Sequence, residues 1–156
     1  MKKNDIRLYN VLFPIWFMYL LLTPFWLILL PVNFAVDSLV IYLSAREQGI
    51  GGRLELWKKS ILSVWLFGFL SDFLGAAVTF ILSLVLDAIS DVMLYTFPGS
   101  TLISIPGLIL AGVLIYFFNK KLSFRESDLT PEQIHRLCLH LALWTAPYTM
   151  LIPAFL

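Results

Sequence analysis

Residues 60–86 read SILSVWLFGFLSDFLGAAVTFILSLVL, a stretch in which Asp72 is the single ionisable side chain. One crossing of a bilayer needs about 20 consecutive apolar residues, so this run is long enough to span with a turn or more to spare. Lys58 and Lys59 stand immediately before it, while Asp87 and Asp91 follow it with no cation beside them. A basic edge on one side and an acidic edge on the other orient the segment, because cytoplasmic flanks carry the excess of Lys and Arg. A membrane helix running outward is the reading from which the rest of the chain follows.

The composition of all 156 residues agrees. Hydrophobic residues make up 60% and charged residues 13%, against about half and about a quarter in an ordinary soluble domain. A mean hydropathy of +0.86 excludes intrinsic disorder and argues against a soluble enzyme domain. The net charge of +1 gives no concentrated basic face for nucleic acid. Cys138 is the single cysteine, so neither an intrachain disulfide nor a CxxC redox or zinc motif exists. The opening MKKNDIR resembles a signal-peptide start, but Trp16, Phe17, Met18, Tyr19 and Pro24 follow where small residues would precede cleavage, so an uncleaved span is expected.

The eleven Lys and Arg residues fall in three clusters. These are Lys2, Lys3 and Arg7; Arg46, Arg53, Lys58 and Lys59; and Lys120, Lys121, Arg125 and Arg136. The positive-inside rule places all three on the cytoplasmic side, which requires an even number of crossings between neighbours. The first interval then folds as a tight hairpin turning at Pro31-Val32-Asn33, since Pro ends a helix and Asn favours the start of the next. In TLISIPGLILAGVLIYFFN, Pro106-Gly107 is an expected kink. Thr130-Pro131-Glu132-Gln133 is a capping box with Pro at the first helical position. The expectation is therefore an all-α integral membrane bundle, a single polytopic domain of about five spans. They cover about 9–30, 33–45, 60–86, 101–119 and 131–155, with the N-terminus cytoplasmic and the C-terminus outside. A bacterial cytoplasmic membrane is the expected location.

Polar residues at membrane depth are the functional clue. An acidic residue near the middle of a span costs roughly 2.5–3.5 kcal/mol on insertion scales, so it calls for a reason. Asp72 lies about 20 Å from Lys59 along a helix, among small residues that let another helix approach. Interhelical packing alone accounts for it equally well. Asn33 and Asp37 share a helix face, about 20 Å and 14 Å from Arg46, although an N-cap with an acid in the first turns explains that pair too. His140 lies about 14 Å beyond Pro131, at the depth expected for Asp37. A convergent Asn33–Asp37–Asp72 site joined by His140 is the candidate; a neutral histidine bonded to a carbonyl is the plainer account of that residue. Asp87 and Asp91 are candidates for an outer mouth, or are simply solvated. No metal is specified and no cofactor is implied.

Three functions fit. The first is proton- or cation-linked transport or conduction through the acidic site; a chain this small would work as a homo-oligomer. The second is a non-catalytic accessory or assembly subunit of a larger membrane complex, which the absence of long loops suits. The third, an intramembrane aspartyl enzyme using Asp37 and Asp72 as a dyad, lacks a GxGD or HExxH pattern. An enzyme is thus the least favoured. The expected partners are the lipid bilayer and a second copy or a larger membrane protein.

Overall fold

The computed structural model describes residues 26–89, 98–125 and 127–151, and these are helical with no strand. Helix α1 is Trp26–Glu47, α2 is Arg53–Ile89, α3 is Gly99–Phe118 and α4 is Pro131–Trp144. A π-helical turn, Asn119–Ser123, extends α3, and a 3-10 turn, Tyr148–Leu151, follows α4. Three of these helices are long and apolar enough to cross a membrane: Leu27–Glu47 within α1, Arg53–Leu86 within α2, and Thr101–Ser123 through α3 and its π turn.

Two expected boundaries are corrected. The hairpin turn at Pro31-Val32-Asn33 is helix, because α1 runs unbroken through Pro31. A proline removes one helical hydrogen bond, whereas leaving the helix in apolar surroundings strands a whole turn of backbone groups without partners. The segments expected at 9–30 and 33–45 thus meet inside one helix; residues 1–25 lie outside those described. The last span, expected as continuous helix over 131–155, stops at Trp144. Pro147 disfavours helical geometry at Ala146. Thr145 turns its hydroxyl onto the Leu141 carbonyl at 2.8 Å, and the Tyr148 hydroxyl takes the Leu143 carbonyl. The chain nevertheless keeps its heading: Leu151 reaches the start of α3, where its carbonyl accepts from Thr101 Oγ1 at 3.1 Å.

The joints are specified locally. α1 ends in a Schellman motif at Gly49 (φ 65°): Gly49 N–H donates to Arg46 and Ile50 N–H to Ala45, at 3.1 and 3.0 Å. Ile50 then packs with Ala45 in the core. α4 opens on the expected capping box, with Gln133 N–H donating to Thr130 Oγ1 at 3.3 Å and Thr130 N–H to Gln133 Oε1 at 3.0 Å. Asn119 is fully buried where α3 widens into the π turn. Its Nδ2 donates to the Ile115 carbonyl at 2.8 Å and its Oδ1 accepts from Ser123 Oγ at 2.7 Å.

The core gathers at one end of the bundle. Ile41, Ala45, Leu56, Ile61, Val64, Ile115, Phe124, Leu137 and Leu141 pack there, drawing on all four helices and the loop after the π turn. The basic residues from Arg46 to Lys59 and from Lys120 to Arg136 belong to this same end, as the topology requires. Beyond it α2 and α3 continue, and Ile81, Leu84, Val85, Leu102 and Ile109 are exposed. Bare apolar surface of that extent suits lipid rather than water.

The α2–α3 contact is built from small residues. Ser71, Gly75, Thr79 and Ser83 recur every fourth position on the buried face of α2, opposite Ser104, Gly107 and Ala111 on α3. A Cβ on Gly75 would stand 2.5 Å from the Gly107 carbonyl oxygen; one on Gly107 would overlap Thr79 Oγ1 and the Gly75 carbonyl. Backbone therefore touches backbone, as small-xxx-small helix pairs allow. The hydroxyls on this face turn back into their own helix: Ser71 to Phe67 at 2.7 Å, Thr79 to Gly75 at 3.2 Å and Ser83 to Phe80 at 2.7 Å, as Ser60 does to Leu56 at 2.8 Å.

Candidate functional site

The buried face of α1 carries Asp37, Ile41, Ser44 and Ala45, the spacing of one helical stripe. Asp37 is 1% exposed. Its Oδ2 lies against α2 at Gly68, where a Cβ would sit 3.7 Å away. Gly68 thus faces the Asp37 carboxyl group, and an added methyl would meet it at ordinary contact distance. Asp72 follows Gly68 by four residues and so shares its face. The Asp37 and Asp72 carboxyl groups lie within electrostatic reach of one another. The structure brings these two candidates together across α1 and α2.

The Leu30 carbonyl accepts from Trp65 Nε1 at 3.3 Å, while Asp37 lies against Gly68. Phe34 fills the crossing, edge-on to both Trp57 and Trp65 with ring centroids 6.2 Å away in each case.

The oxygens at this crossing are incompletely matched. Asp37 Oδ2, Asp72 Oδ1 and Ser38 Oγ are buried without a hydrogen-bond partner among the described residues. Nearby Ser71 does not serve them, since its hydroxyl goes to the Phe67 carbonyl. Leaving one buried acceptor unmatched costs about 1–3 kcal/mol, more if it is charged. The two carboxyl oxygens on adjoining helices make an acceptor-rich spot that suits a proton or a cation. Asn33 is half-buried one turn before Asp37 and makes no hydrogen bond that would tie it to either carboxyl group.

His140 does not join this spot. Its Nδ1 hydrogen-bonds Ser44 Oγ at 2.9 Å, and Ser44 Oγ also accepts from Gln48 Nε2 at 3.0 Å. Glu47 Oε2 stands 4.0 Å from the same ring nitrogen. The contact lies about 10 Å along α1 from Asp37. The depth expected for His140 is corrected accordingly: Leu137, Cys138 and Leu141 pack α4 against Ile41 and Ala45, which seats His140 at the basic end. His140 ties α4 to the end of α1. The backbone of Asp87 continues α2, and Asp91 lies outside the described residues.

Among the described residues no group of three or more His, Cys, Asp and Glu side chains is arranged to hold a metal ion. Ser38 and Ser44 are the participants that sequence reasoning misses. Ser44 was accessible as the next buried position on the Asp37 stripe; Ser38 carries no such signal, because a serine on an apolar helix more often bonds its own backbone. Comparison of the chain with known protein families, with curated proteins and with solved structures finds no match.

Proposed function

We propose that this chain is an integral membrane protein of proton- or cation-linked transport or conduction, in which Asp37 and Asp72 are the groups that take up the ion. The observation that carries the reading is the pair of buried carboxyl oxygens, Asp37 Oδ2 and Asp72 Oδ1, left without partners where α1 crosses α2. Intramembrane acids are costly and commonly mark ion paths, and here neither acid is spent on holding the helices together. The basic end faces the cytoplasm in this reading, in a bacterial inner membrane, with about five spans in all. So small a bundle acts as a homo-oligomer.

Flux in proteoliposomes tests it. With a pH-sensitive dye inside and an imposed gradient, the wild-type chain conducts, and Asp72→Asn and Asp37→Asn each lower the rate at least tenfold while melting as the wild type does. Equal rates in all three proteins would end the site assignment. Purification in mild detergent with a stoichiometric larger membrane protein would instead favour the accessory-subunit reading.

A further inference from the structure

A second feature lies at the opposite end of α2 from its outer tip and is independent of the acidic pair. Lys58 and Lys59 on α2 are exposed, as are Lys120 and Lys121 in the π turn after α3. The two pairs are more than sixty positions apart in the chain, yet the fold sets them at the same end of the α2–α3 pair. Gly75 meets Gly107, and the Phe67 and Phe118 rings lie with centroids 5.5 Å apart. Continued along α2, that antiparallel register brings the π turn about one helical turn from Lys58 and Lys59, and the π turn indeed packs on α2. Lys58, Lys59, Lys121 and Arg125 have no carboxylate within 4.0 Å among the described residues; the arginine that does have one at this end is Arg136, paired with Glu132 at 2.7 Å. Lys120 is steadied by Tyr116, donating to its hydroxyl at 3.0 Å and standing 5.3 Å over its ring.

We infer that this lysine collar is a binding surface for the headgroup of an anionic phospholipid. A free phosphate or a soluble acidic protein would be satisfied by charge alone. The collar has more than charge: Leu62, one turn beyond Lys58 on the same face of α2, is 61% exposed, and Phe117, four positions before Lys121 on the apolar side of α3, is 49% exposed. Cations with bare apolar side chains on their bilayer side match a ligand whose phosphate continues into an acyl chain. Unpaired lysines at the membrane surface attract anionic lipid, and long flexible stems let several of them close on one phosphate.

Native mass spectrometry of the purified full chain, incubated with equimolar phosphatidylglycerol and phosphatidylcholine, reads the preference directly. The wild type is expected to retain phosphatidylglycerol at least threefold over phosphatidylcholine. The triple variant Lys58→Gln, Lys59→Gln, Lys121→Gln is expected to retain the two equally, and Asp37→Asn to behave as the wild type. Raising the salt is expected to erase the wild-type preference, as screened surface charge requires. An unselective wild type, an undiminished preference in the triple variant, or displacement of the lipid by matched inorganic phosphate would each overturn the assignment. Should the triple variant fail to fold, Lys58→Gln and Lys121→Gln singly must each lower the preference, and salt insensitivity of the wild type would still refute it.

Discussion

α2 meets its two neighbours in opposite ways. Against α3 it offers Gly75 and a row of hydroxyls already bonded to their own helix, and the backbones close until no Cβ would fit. Against α1 it offers Gly68 and Asp72, and the space is filled by carboxyl groups with oxygens left over. One contact is finished and the other is open. Both use glycine, so glycine in a membrane helix does not by itself report packing; what occupies the vacated side decides its meaning.

Substitution at the glycines breaks the comparison most directly. Gly107→Leu is expected to prevent α2 and α3 from closing, with loss of more than about 3 kcal/mol and no monodisperse protein in detergent; a normal elution profile would refute the close approach. Gly75→Ala, a smaller insult at the same crossing, is expected to cost about 1–3 kcal/mol by thermal melting. Asp37→Val exchanges an unmatched acceptor for methyl groups and is expected to raise stability by about 1–3 kcal/mol while abolishing flux. A lowered melting temperature would mean that Asp37 holds the fold after all. His140→Ala removes one bond to Ser44, which keeps Gln48, and should lower stability by roughly 1 kcal/mol without changing flux. Smallest of all, Gly68→Ala places a methyl at ordinary contact distance and restrains the unfolded chain, so a gain of about 0.5–1 kcal/mol is expected. Opposite signs at Gly68 and Gly75 would confirm that the two contacts differ in kind.

What sequence reasoning reaches is set by how local the cause is. The apolar runs 60–86 and 101–119 each need only their own residues to declare a helix, and both are helical. Thr130 and Gln133 specify the start of α4 through two short bonds, and those bonds are present. Pro31 misleads because its effect depends on the surroundings: in water it would end a helix, but in an apolar setting unmatched backbone is the greater loss. Pro147 does interrupt the helix, and the Tyr148 hydroxyl takes the Leu143 carbonyl that its missing N–H leaves free. Asp37 and Asp72 are visible as acids in apolar sequence, and Gly68 and Ser71 as small neighbours. That they converge, and that His140 goes elsewhere, follows from how α1, α2 and α4 pack together, which no periodicity encodes.

The self-bonded hydroxyls of α2 bear on how such a bundle is made. Ser60, Ser71, Thr79 and Ser83 each carry a hydrogen-bond acceptor within their own helix, so these four need nothing from α3. As the ribosome delivers α2 to the bilayer, it can wait there alone with those groups already satisfied. Asp72 travels on the same helix without that provision. The span is thus self-sufficient along the seam it will bury last, against α3, and in want of a companion at the crossing with α1, which precedes it in the chain. Order of synthesis and order of need run in the same direction.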